Sequence, residues 1–493
     1  MQTHRQFLWL CGVVAAIAVA LLIYSQTKAF TWDEGFHLLA AQLIEGGKRP
    51  YLDFFFPQTP LNAYWNAGWM RIFDDSWRVV HAVAALATSG AVLLTADFVF
   101  TRFPASPWRL AAALAAAVLV GANVLVVQFG TIGQAYGLCL LLVVAAFRLA
   151  ILAVGRKSAV WALGAGFLAA AAAGSSLLTA PVAPVLLLWL MFYNREGSRW
   201  QNCAVFVAGG ALAFLPVLAL AVQGLPQTVF DIFKYHLFYR DVEWEGAGAQ
   251  NINVLFSWID SAHALILGAL ALAGLLFTVR REVDRIRRSE FYLCFWLAAA
   301  LAVYLATAHP TFERYYLLIV PFLAIPAAFG LYEISSRLNP HQRTLWPLLA
   351  LSLLLCLGLG KALYERHEQD NYSWPAFEAI AKKIDQVTPP GAPLFADEHF
   401  YFLTRRPPPS GTEYADAQKI DLPPPLSASL HLVPRKEWAR RIQAGMFSTV
   451  ETCRDEDDER FQVLGVPPLY RRKAVMQDCT IFWDWARRKT GGY

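Results

Sequence analysis

The chain has 493 residues, of which 57% are hydrophobic and only 16% charged. Soluble domains carry roughly 25% charged residues, so the composition argues against a soluble enzyme and for a polytopic membrane protein. The formal net charge of +5 gives no nucleic-acid signal, and the seven cysteines show no CxxC or zinc-type spacing, which leaves metal and thiol-redox chemistry without support.

The N-terminal run Phe7–Tyr24 is long for a signal-peptide core and suits a membrane span of about 20 residues. It reads as an uncleaved first helix. Further spans are predicted at 77–100, 109–127, 134–154, 159–174, 177–193, 203–223, 261–279, 291–308, 315–332 and 345–361. In the 159–193 stretch, Gly174, Ser175 and Ser176 mark either a turn between two short spans or the break of a re-entrant pair. Alternate loops are basic: "TRFPASPWR" (101–109), "GRKS" (155–158), "NREGSRWQ" (194–201), "VRREVDRIRRSE" (279–290) and "SSRLNPHQRT" (335–344). The positive-inside rule puts these loops and the N-terminus in the cytoplasm. The long stretch 25–76, the stretch 224–260, "HPTFER" (309–314) and everything after 361 then lie outside. Asp97 and Arg148 read as helix-end residues.

From about Lys361 charges and prolines rise, and the pattern changes to a small α/β domain, 362–493, behind a membrane domain, 1–361. "SWPAFEAIAKKIDQV" reads as a helix with Ser373 as N-cap and Pro375 in its first turn. "PLFADEHFYFLTRRPPPSG" reads as strand, helix and Pro-rich stop. "SASLHLVP" reads as a strand, "RKEWARRIQAG" as a helix, "FSTVETC" as a strand and "PLYRRKAVMQDCTIFW" as one final strand. The acidic run "RDEDDER" (454–460) reads as a solvated helix start. Cys11, Cys139, Cys203, Cys294 and Cys356 lie in apolar runs. Cys453 and Cys479 share the outer part, where disulfides persist, but sequence does not show that they are close.

Three acids stand out in the first outer loop. "WDEG" places Asp33 and Glu34 at the start of an amphipathic stretch whose apolar positions are Phe36, Leu38, Leu39, Leu43 and Ile44. Asp53 follows in "RPYLDFFFPQTPLNAYW", among Tyr51, Phe54, Phe55 and Phe56, where Pro50, Pro57 and Pro60 fix a turn into a second helix. The other outer loops supply cations between aromatics: Lys234, His236 and Arg240 in "VFDIFKYHLFYRDVEW", and His309, Arg314, Tyr315 and Tyr316 in "HPTFERYYLLIVP". Arginine offers a fork that matches phosphate oxygens, and lysine a point charge. Acids and cations together on one face suit general-base catalysis with a stabilised phosphate leaving group.

"WDEG" after the first span, "PQTPLNAYW", and "HPTFERYYLLIVPFLAI" resemble the motifs of the GT-C fold glycosyltransferases. The similarity is to the bacterial branch related to protein O-mannosyltransferases and the aminoarabinose transferase of lipid A. It covers roughly 1–361. The resemblance implies an α-helical polytopic fold of about eleven spans with a small extracytoplasmic α/β C-terminal domain. It also implies a polyprenyl-phosphate-linked sugar donor and an inverting transfer, hexosyl or pentosyl, on the outer face of a bacterial inner membrane. The acceptor would be a lipid, a glycan or a protein, reached among membrane lipids, with no nucleic acid. Asp33 matches the catalytic base, with Glu34 beside it. The residues themselves give Asp53 the remaining place in the catalytic set, holding sugar hydroxyls or hydrogen-bonding the base, and make Lys234, His236, Arg240, His309, Arg314 and Tyr315 the substrate-binding set. No cofactor and no metal are implied. One departure is plain. The aminoarabinose branch has an acidic-Lys-Pro-Pro stretch where this chain has Pro57, Gln58, Thr59 and Pro60, so its phosphate-binding lysine is missing here. The alternatives are a transporter or flippase of a lipid-linked substrate and a non-catalytic assembly protein. Transporters place ionisable groups near the bilayer midplane, where these spans are almost free of charge.

Overall fold

The computed structural model describes residues 2–27, 31–104, 106–156, 158–193, 199–280, 285–308, 310–338, 345–369, 372–453 and 465–486. Among them, seven helices are long and apolar enough to cross a membrane: His4–Ser25, Trp77–Arg102, Tyr136–Arg156, Arg199–Gln223, Arg288–Ala306, Glu313–Leu338 and Leu345–Glu365. The helices Ala247–Ser257 and Ala262–Leu276 meet at 65° and form an eighth, bent candidate. Three shorter apolar helices, Arg109–Gly121, Ala159–Ser175 and Leu177–Tyr193, complete the set. Eight of the eleven expected spans fall on the long or bent candidates; 159–174 and 177–193 fall on short helices, and 109–127 is broken after Gly121 before a second short helix, Val124–Phe129. The 159–193 stretch resolves into two short helices joined by a 3₁₀ turn at Leu177–Thr179. The acidic run 454–460 lies outside the described residues.

Alanine sets the centre of the bundle. Ala112, Ala113, Ala115, Ala116 and Ala117 are fully buried, and their small side chains let the Arg109–Gly121 helix pack closely against Trp77–Arg102 and Val320–Leu338. The helices Ala159–Ser175 and Arg199–Gln223 touch backbone to backbone. A Cβ at Gly166 would stand 1.9 Å from the Phe206 carbonyl oxygen.

The stretch after the first span forms two helices, Glu34–Glu45 and Leu61–Ile72. Much of the apolar face of the first is turned into the protein. Leu38, Leu39 and Ala41 join a core with Trp374, Phe377 and Phe400 of the C-terminal part. That part carries a four-stranded sheet, β1 (Leu394–Phe395), β2 (Thr449–Thr452), β3 (Tyr470–Met476) and β4 (Cys479–Trp485), in the order β1-β2-β4-β3. β1 runs parallel to β2, and the other pairs are antiparallel. Helices Trp374–Val387, Glu398–Thr404 and Arg435–Gln443 accompany it. Ser373 caps the first of these, its Oγ accepting from the Ala376 amide.

Two expectations fail in this part. "SASLHLVP" is no strand: residues Pro424–Ser429 form a short helix, started by prolines in its first turn. "PLYRRKAVMQDCTIFW" is not one strand but the hairpin β3–β4, turned at Gln477, whose φ is +54°. The β2–β4 register pairs Thr452 with Thr480, and so brings Cys453 and Cys479 together as a disulfide.

Candidate active site

Asp33 and Glu34 are adjacent, and the fold gives them opposite surroundings. Glu34 points inward and is fully buried. Its Oε1 meets His81 Nε2 and the Gly133 amide, both at 2.5 Å, and its Oε2 accepts from Trp374 Nε1 at 3.1 Å. His81 Nδ1 donates to the Ser25 carbonyl at 2.7 Å; a carbonyl only accepts, so that nitrogen carries a proton. Position 133 must be glycine for this approach, because a Cβ there would sit 2.8 Å from the Glu34 carboxylate. Glu34 thus ties the first outer helix to three other segments. It does not line the cavity described next.

Asp33 precedes the helix and spends no side-chain bond on capping it. Its carboxylate turns to Arg314 in an ion pair, with Asp33 42% exposed and Arg314 only 16%. Arg314 stands in the 3₁₀ turn Glu313–Ile319 that opens the Val320–Leu338 helix. Its guanidinium lies 4.3 Å from the Phe312 ring centre, and the guanidinium of Arg240 lies 5.8 Å from the same ring. Arg240 Nη2 donates to the Tyr315 hydroxyl at 2.6 Å.

These groups share one cavity of about 1710 Å³, well above the roughly 300–1,000 Å³ of ordinary small-molecule sites. The structure brings Asp33, His236, Arg240, Arg314 and Tyr315 to its wall. It separates the others. Lys234 is exposed and off the cavity. Asp53 is also off it, gripped by Arg49 through Nε and Nη2 at 3.0 Å each; that hydrogen bonding holds its carboxyl below the usual range. The aromatic neighbours expected around Asp53 are themselves buried, but its carboxylate turns away from them to Arg49. His309 lies outside the described residues.

The loop between the two outer helices is pinned from the 230s. Asp231 accepts from the Phe56 amide at 2.9 Å, and His236 Nε2 donates to the Pro57 carbonyl at 2.7 Å. Asp231 lies in a π-helical turn, Phe230–Lys234. Burial raises its carboxyl well above the usual range and pushes the His236 imidazole down to about 4. His236 is therefore neutral at physiological pH, a loop anchor rather than a charge. The anchored loop presents Gln58 and Thr59 to the cavity.

The sequence reading missed the wall made by the C-terminal part. Tyr414, Asp416, Lys419 and Arg435 all line the cavity. Tyr414 packs edge-on against Phe36 at 4.7 Å and accepts from the Tyr235 hydroxyl at 3.3 Å. Arg435 pairs with Glu243 at 3.0 Å. Lys419 Nζ donates to the Arg240 carbonyl at 2.5 Å. The mixed aromatic and charged run "EYADAQK" was the available signal. His37, also on the wall, has a buried Nδ1 with no partner among the described residues, and burial pushes its imidazole down to about 4.

No family model and no curated protein matches the sequence. Solved structures do match in fold. ArnT from Cupriavidus metallidurans bound to undecaprenyl phosphate superposes with a TM-score of 0.68 at 13% identity, over 96% of this chain and 97% of that one. The same protein in the apo state gives 0.65 at 14% identity, with the same coverage. The Archaeoglobus fulgidus oligosaccharyltransferase tethered to an acceptor peptide gives 0.50 at 14% identity, over 92% of this chain and 70% of that one. The architecture is the GT-C fold of polytopic membrane glycosyltransferases.

Proposed function

We propose that this GT-C chain transfers a sugar from a polyprenyl-phosphate donor to an acceptor hydroxyl, with inversion at the anomeric carbon. The observation that carries the reading is Arg240. It faces the cavity beside the Asp33–Arg314 pair, and among the described residues no carboxylate stands within ion-pair distance of it. An arginine without an acid partner in such a cavity suits an anionic ligand. The volume suits a lipid-linked sugar, and the fold neighbour ArnT was solved with undecaprenyl phosphate.

Asp33 removes the acceptor's proton. The acceptor oxygen bonds to the anomeric carbon from the face opposite the phosphate. The bond from that carbon to the phosphate oxygen breaks, and its electron pair leaves with polyprenyl phosphate. One displacement gives inversion. Arg314 orients Asp33, and Arg240 with Tyr315 holds the departing phosphate. Glu34 acts through position, keeping the Asp33 end of its helix in register with the 130s and with Trp374.

The same reading puts the cavity on the extracytoplasmic face, with the N-terminus in the cytoplasm, a membrane part over 1–361 and an outer part over 362–493. The expected outcome is that deleting the gene makes cells accumulate a lipid-linked sugar, identifiable by mass spectrometry, and that wild-type protein but not Asp33→Asn clears it. No accumulation, or clearance by Asp33→Asn, overturns the reading.

A further inference from the structure

We propose that Lys419, carried in by the C-terminal part, is the second cation of the donor-phosphate site and works with Arg240 on one phosphate. The proposal rests on reading the cavity as a lipid-phosphate site. Lys419 ends the 3₁₀ turn Ala415–Lys419, lines the cavity and is half-buried. An ammonium has three donors. One goes to the Arg240 carbonyl, and no other hydrogen bond or carboxylate ion pair engages it among the described residues. The bond to that carbonyl fixes Lys419 to the residue whose guanidinium faces the same cavity. The turn between the two outer helices contributes only the neutral Gln58 and Thr59 to this wall, and no cation.

The chemistry makes a second cation valuable at one stage. A polyprenyl-phosphate sugar is a phosphodiester with one negative charge. When the sugar leaves, the lipid becomes a phosphomonoester and gains a second. A group that meets the growing charge stabilises the transition state more than the bound donor. Asp416, Glu243 and Asp241 face Lys419 and favour its charged form, whereas Arg240 opposes it; burial is the largest influence and lowers its pKa. A second anion close by would offset that burial.

The test uses the full chain in lipid nanodiscs with undecaprenyl phosphate as ligand and undecaprenol as the uncharged control. Lys419→Ala is expected to weaken undecaprenyl phosphate binding about tenfold, the scale of one charge-assisted contact, and to leave undecaprenol unchanged. Lys419→Arg restores most of the affinity. Lys419→Gln keeps a donor for the Arg240 carbonyl but removes the charge, and it binds as weakly as the alanine variant. Full affinity in Lys419→Gln overturns the proposal, because the side chain then serves only as a latch. Loss of binding in Arg240→Ala with none in Lys419→Ala overturns it as well, and leaves the phosphate site standing. Equal binding of undecaprenol and undecaprenyl phosphate by the wild type removes the phosphate reading itself.

Discussion

The helix Trp77–Arg102 carries charged clusters at both ends, and the two ends behave differently. Near its start, His81 holds Glu34, and the adjoining Asp33–Arg314 pair opens on the large cavity. Near its end, Asp97 pairs with Arg148, and Arg102 pairs with Glu290, whose side chain is only 3% exposed. Both clusters combine acids with arginines at helix ends. The first lies on the large cavity, beside Arg240, which has no carboxylate within ion-pair distance among the described residues. Ionisable groups in a membrane protein are a default pointer to function, but here the pointer separates into a clamp and a site by access and by pairing.

The comparison breaks most visibly at Glu34. Glu34→Ala removes one partner of a buried pair, which costs about 3–5 kcal/mol. The expected outcome is a large drop in the thermal midpoint of the detergent-solubilised protein. A variant that melts like wild type yet fails to transfer sugar would make Glu34 part of the chemistry.

Asp33→Asn comes next. It should lower transfer by at least about 10², the scale of a positioned base, while the melting midpoint stays near that of wild type. Asp53→Asn, off the cavity and bound to Arg49, should keep wild-type transfer. The reverse result in membrane assays of sugar transfer would move the base to Asp53.

Arg148→Met sharpens the other end. Asp97 loses its partner, at a cost of about 1–3 kcal/mol, and the loss should appear in the melting curve with turnover per folded molecule unchanged. A fall in turnover alone would mean the two ends are coupled.

The smallest effect concerns acids without cations. Burial pushes the Glu413 carboxyl up to about 7 and raises that of Glu398. The folded chain therefore keeps protons that the unfolded chain releases. This contribution is complete below the ordinary carboxylate range and is lost as pH rises through neutrality. The melting midpoint should fall from mildly acidic to mildly alkaline pH, and Glu413→Gln should flatten part of that slope. A midpoint that rises over the same range contradicts it.

Long apolar runs made the membrane helices legible, because burying about 20 residues in lipid leaves the backbone no alternative to a helix. The acids after the first span and the Arg240 and Arg314 loops were legible as a set, since cations interleaved with aromatics are costly in apolar surroundings without a ligand or partner. The sequence by itself determined which long apolar segments are helical and which loops carry the charge. It did not determine which acid faces the cavity. Asp33 and Glu34 are neighbours, and one residue of helix rotation, about 100°, sends one to Arg314 and the other to His81 and Trp374. Nor did it determine that "EYADAQK", some 180 residues beyond Arg240, delivers Lys419 to the Arg240 carbonyl, or that Cys453 meets Cys479 across β2 and β4. Those placements depend on contacts between distant segments, and local periodicity has no access to them.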